Sequence, residues 1–125
     1  MKKLFLFVIV AATGSVLISS CKKSDPVSIV GKWNLVNQIS CSSGVCDTLP
    51  PTAGDYAEFT SGGLLISGNN NVPTDTINYS VSNSNLYISY PSAGSDTFHI
   101  NTLTNSSLQL FRDYGTSTAT IDFSR

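Results

Sequence analysis

From Ile29 to Arg125, apolar residues take turns with polar ones over short runs, and clusters of Gly, Asn, Ser and Pro separate the runs. A period of two marks a strand with one face on a core and the other on solvent, whereas a helix would bring apolar residues round every three or four positions. Trp33, Leu35 and Ile39 share one face of a first strand, with Asn34, Val36 and Gln38 opposite. A second, near Asp55 to Thr60, offers Ala57 and Phe59, and Ser61-Gly62-Gly63 turns it into a third that carries Leu64 and Ile66. Ile77, Tyr79 and Val81 face inward from the fourth, and Leu86, Ile88 and Tyr90 continue that face beyond an Asn83-Ser84 tip. Phe98 and Ile100, then Leu108 and Leu110, then Ala119, Ile121 and Phe123 complete the set.

The pattern predicts eight strands joined by short hairpins, with no amphipathic run of helical length. An open meander leaves two unpaired edges, and closure removes both. The expected fold is therefore all-β, a small eight-stranded antiparallel up-and-down barrel. A Greek-key sandwich is the rival, because periodicity does not reveal strand order. A membrane-spanning barrel would need an apolar outer band, and the outward residues here are Asn, Ser, Thr, Gln and Asp.

Met1 to Ser20 reads as a secretory signal, with Lys2 and Lys3 ahead of the apolar run LFLFVIVAA, which is short for a membrane span. The chain then divides into a signal at 1–20, a polar tether at 21–28 and a barrel domain at 29–125. Without the signal, five basic residues face eight acidic ones. That balance provides no basic face for nucleic acid.

Leu17-Ile18-Ser19-Ser20-Cys21 resembles the lipobox of bacterial lipoproteins, in which the cysteine is acylated and becomes the first residue of the mature chain. The resemblance implies a membrane partner reached through an N-terminal lipid anchor on Cys21. Lys22 and Lys23 follow, where some surface-exported lipoproteins carry an acidic run, so the expected location is the bacterial envelope, facing the periplasm from the outer membrane. With Cys21 lipidated, Cys41 and Cys46 remain as a pair, and a disulfide between them closes a small loop. A zinc site of the C-x4-C kind would lack further ligands, since His99 is the only histidine, and no metal or cofactor is expected.

Val30-Gly31-Lys32-Trp33 at the head of this meander resembles the Gly-x-Trp signature of the lipocalins, and the whole chain resembles small lipocalin-like bacterial lipoproteins. In that family the tryptophan closes one end of the barrel and an arginine packs on it. The resemblance implies this barrel-end role for Gly31 and Trp33 together with Arg125, which shares the parity of Phe123, or Arg112, which shares that of Leu110. It also implies that the first connection, Ser40 to Gly54, folds over the opposite mouth as a lid; a stiffened surface loop is the alternative.

The bulky inward residues argue for a packed interior with at most a small apolar pocket, for which Tyr79, Tyr90, Phe59 and Phe98 are the candidate lining. No paired carboxylates, nucleophile elbow or phosphate loop is present, so no enzymatic activity is expected. The expected function is binding of a small apolar ligand or of an envelope protein. Inhibition of a periplasmic protease or lysozyme through the Ser40–Gly54 loop is one alternative, and a structural envelope protein without ligand is another.

Overall fold

The structure is a computed structural model that describes residues 26–125. The signal, Cys21 and the first part of the tether lie outside the described residues. Nine strands follow in order: β1 (Gly31–Ser42), β2 (Val45–Leu49), β3 (Asp55–Phe59), β4 (Leu64–Asn69), β5 (Val72–Ser82), β6 (Asn85–Tyr90), β7 (Gly94–Leu103), β8 (Ser107–Asp113) and β9 (Ser117–Ser124). From β3 to β9 each strand pairs with the next, β1 pairs with both β3 and β9, and every pairing is antiparallel. The expected closed eight-stranded barrel is therefore present, and the sequential order excludes the Greek-key alternative. No helix occurs among the described residues.

The ninth strand corrects one expectation. The stretch from Ser40 to Gly54 is not a long loop: β1 continues to Ser42, and β2 returns along it in register from Ser42↔Val45 to Gln38↔Leu49. Ser43 and Gly44 make the two-residue link, both with positive φ (52° and 81°), the geometry that matches strand twist in a tight hairpin. Cys41 and Cys46 are directly opposite and are joined by a disulfide. Asn70 and Asn71 bridge β4 and β5 in the same left-handed conformation (49° and 64°), which asparagine tolerates.

Two expected faces are also corrected. Between Leu35 and Asn37 the β1–β9 register shifts by a residue, since Leu35 pairs with Phe123 but Asn37 with Asp122. Beyond this bulge, parity is inverted. Gln38 now lies opposite Ile121 on the inner face, and Ile39, expected inside, stands beside Thr120 and Thr48 on the outer face. In β4, Leu65 opposite Phe59 is the buried residue, so Leu64 and Ile66 point outward. The loop after Phe59 sets this register: Thr60 N–H donates to Leu64 O (2.8 Å), and Leu64 N–H donates to Thr60 Oγ1 (3.0 Å).

Trp33, Phe59, Leu86 and Leu108 are the most deeply buried large side chains, with Leu65, Ile88, Phe98 and Leu110 packed around them. Each contributes about 1.5–3 kcal/mol when removed from water. Ile29, which precedes β1, belongs to the same core.

Candidate functional site

The barrel has a base, where β1 begins, and a mouth, where β1 ends. At the base, Pro26–Val30 forms a strap held from two sides. Trp33 Nε1–H donates to Ile29 O (2.7 Å) from inside the core. Arg125 reaches the strap from β9, with Nη1 donating to Val30 O (2.9 Å) and Nη2 to Ser28 O (3.3 Å), while Nε–H donates to Asn105 O (2.9 Å) in the β7–β8 turn. Its Cζ lies 4.0 Å from the centre of the Trp33 ring system, a cation–π stack. Gly31 makes the approach possible. A Cβ there would sit 2.8 Å from Arg125 Nη1, and the backbone φ of 129° lies where side chains are rarely accommodated. Residues 28 and 29, divided between tether and barrel by sequence, thus form one fixed segment.

Arg112 lies at the other end, near the mouth. Its guanidinium pairs with Asp96 and sits over the rings of Tyr114 (4.2 Å) and Phe98 (5.6 Å). The hydrogen bond to Asp96 pushes the arginine pKa up further. Burial, followed by the charge of Asp96 and a hydrogen bond to it, pushes the Tyr90 phenol up. Arg112, Asp96 and Tyr90 all project inward from adjacent strands and give this part of the mouth a polar lining.

The four pocket candidates divide between the ends. Phe59 is core, in edge-on contact with Tyr79 (centroids 5.0 Å apart, planes at 85°). Tyr79 O–H donates to Thr60 O (2.6 Å), and burial raises its pKa. Phe98 is buried beneath Arg112, and Tyr90 belongs to the Asp96 cluster. Phe59 and Tyr79 thus meet each other, whereas Phe98 and Tyr90 gather around Arg112 and Asp96. His99 is exposed on the outer face, with Nδ1 3.4 Å from Asn85 Oδ1.

An opening instead forms where β1 leaves β3. Their pairing covers only Gly31 to Asn34, after which the β1 edge turns to β2. The recess between, of about 370 Å³, is lined by Leu35, Ile121, Phe123 and Tyr56, with Gln38 contributing an amide and Asp55 and Asn69 at its polar side. Asp55 is already committed, since Oδ1 accepts from Asn69 Nδ2 (2.8 Å) and Oδ2 from Thr52 N–H (2.8 Å). Tyr56 lies across Gly68, its cross-strand partner, and Lys32 Nζ sits 4.0 Å above its ring. Sequence reasoning missed Gln38 because it lies on the outward parity of an unbulged β1, whereas Tyr56 keeps the outward parity of β3, whose pairings carry no register shift, and is buried between Lys32 and Gly68.

A family model described as a lipocalin-like domain matches residues 29–110. Comparison with curated proteins gives no match. Among solved structures, a lipocalin-like protein from Bacteroides uniformis ATCC 8492 is similar at a TM-score of 0.54 and 20% identity, over 77% of this chain and 96% of that one. An uncharacterized protein from Bacteroides eggerthii DSM 20697 is similar at 0.51 and 18%, over 78% and 99%. At these identities the structural likeness speaks for the fold. Such barrels are typically binding folds rather than enzymes. With the family match spanning β1 through most of β8 on a closed eight-stranded barrel, this chain belongs to the lipocalin-like domain family.

Proposed function

We propose that the protein is an envelope lipoprotein, tethered through an acylated Cys21, whose barrel binds a small apolar ligand in the recess between β1 and β3. The recess itself carries this reading: about 370 Å³ of space walled by aliphatic and aromatic side chains, with the Gln38 amide facing in. Ligand sites have this make-up, an apolar body with a few polar groups that fix orientation. Trp33, Phe59, Leu86, Phe98 and Leu108 pack together in the core beside the recess, so the ligand is small. The lipobox-like run before Cys21 and the lysines after it support an anchor facing the periplasm from the outer membrane.

Solvent extraction of the purified protein followed by mass spectrometry is expected to yield one apolar species, and Ile121→Trp, which fills the recess, to lose it. An empty extract, together with no uptake of the apolar dye anilinonaphthalene sulfonate, would overturn ligand binding and leave a structural envelope protein. Cys21→Ser is expected to move the protein from the membrane to the soluble fraction; unchanged fractionation refutes the tether.

One observation favours a second reading, a protein partner. The disulfide-linked β1–β2 hairpin is exposed along the whole of β2, with Val45 and Leu49 more than half accessible. A rigid strand with a free edge suits docking against an extended peptide or an enzyme cleft. Inhibition of a protease or lysozyme is the form this would take, and a panel of such enzymes left fully active by the protein would refute it.

A further inference from the structure

A second groove, of about 650 Å³, lies at the base of the barrel, at the opposite end from the mouth. Tyr79, Ile100 and Leu103 line it from the barrel, where all three pack against the core. Val27 and Val30 line it from the strap, and Val81 from the end of β5; these three valines are each about 40% exposed. Among the described residues no charged side chain takes part, and the Tyr79 hydroxyl is spent on Thr60 O. The remaining polar lining is serine, asparagine and backbone. A groove so built suits an uncharged, flexible, apolar body.

The strap that forms one side does not need to be ordered by a ligand. Trp33 and Arg125 already fix the carbonyls of Ser28, Ile29 and Val30, so the groove stands preformed. Pro26, where the described chain starts, is itself part of the lining. Cys21 precedes it by five positions in the sequence. Five residues reach at most about 18 Å, and a group on so short a tether is presented to a neighbouring site at an effective concentration of about millimolar or above.

We propose that this groove holds one acyl chain of the lipid carried by Cys21, so that the protein's own anchor is partly sheathed in the base of its barrel. The proposal rests on the lipidation proposed above. It sets the orientation of the molecule: the base lies against the membrane, while the mouth, the recess and the stapled hairpin face away from it.

Parinaric acid, a fluorescent fatty acid, supplies the probe. Cys21→Ser protein has a vacant groove and is expected to bind the probe saturably, and Val81→Trp in that background to weaken binding at least about tenfold. Val27→Asp, on the exposed strap and away from the core, is expected to do the same without risk to folding. Acylated protein purified from membranes in mild detergent is expected to bind at least about tenfold more weakly than Cys21→Ser protein in the same detergent, because its groove is occupied. Equal binding by the acylated and Cys21→Ser forms, or binding indifferent to both substitutions, would overturn the proposal. Intact mass reports separately on Cys21: an unmodified cysteine overturns the lipoprotein reading and this occupant with it, whereas an acylated cysteine beside an accessible groove overturns the occupant alone.

Discussion

Replacing Arg125 with alanine tests the closure of the base. The guanidinium stacks on Trp33 at 4.0 Å and donates to three carbonyls, those of Ser28, Val30 and Asn105. An exposed cation–π stack contributes about 0.5–1 kcal/mol. Each hydrogen bond nets about 0.5–1.5 kcal/mol, and the low end applies here because the side chain is reached by water. Together these give about 2 kcal/mol. For a domain of this size, 1 kcal/mol moves the melting temperature by about 4–8 °C, so Arg125→Ala is expected to lower Tm by about 8–16 °C.

Trp33, the single tryptophan, reports the change directly, because its indole N–H is bonded to the strap. Thermal and urea unfolding followed by its fluorescence should show the loss. Arg125→Lys keeps the charge without the planar fork and should recover about half of it. A fall in Tm of less than about 2 °C for Arg125→Ala would refute the reasoning. Gly31→Ala sharpens the test, since its Cβ meets Arg125 Nη1 while its backbone also holds a φ of 129°. In the Arg125→Ala background the collision disappears and only the backbone strain, about 1–3 kcal/mol, is left, so the two substitutions should be less than additive.

The Cys41–Cys46 bridge is worth about 2 kcal/mol by chain entropy, but β2 is exposed throughout and pairs only with β1, so its removal should act locally. With both cysteines changed to serine, amides of β2 should exchange about 30-fold faster and those of β6 to β8 at unchanged rates; a Tm lowered by more than about 8 °C would contradict this. Gly68→Ala places a Cβ 2.7 Å from Tyr56 Oη and closer still to Val72 O, and is expected to cost about 1–3 kcal/mol in urea unfolding; a neutral result would show that the β4–β5 bulge yields easily. Tyr79 and Tyr90 both have phenol pKa values raised in the folded state, chiefly by burial. Their contribution to stability is then complete below about pH 10 and lost as the pH rises through the folded-state values, so the Tyr79→Phe, Tyr90→Phe double variant should show a flatter alkaline decline in Tm; an unchanged slope would refute the assignment.

Much of the barrel is legible in the chain because alternation is a local property. Phe59, Leu86, Ile88, Phe98, Leu108 and Leu110 could be assigned to the interior from their neighbours alone, and the pairing of Cys41 with Cys46 from proximity and parity. The stack of Arg125 on Trp33 had only a short signature and a matching parity behind it; its distances come from the fold.

What tertiary structure alone decided is where alternation breaks. β1 must pair with β3 on one edge and β9 on the other, and a closed barrel fixes the stagger around its whole circumference. The bulge at Val36 meets that condition, and similar shifts occur in the β4–β5 and β7–β8 pairings. No neighbouring residue announces such a shift, because the constraint arises on strands far away in sequence. Yet the first of them brings Gln38 inside and turns Ile39 out, and the short β1–β3 pairing beside it leaves the recess. Period two thus established that the chain would be all-β and which residues would fill most of its core, while the strand pairings made it a closed barrel rather than a sandwich. Ring closure, a property of all the strands at once, decided where it opens.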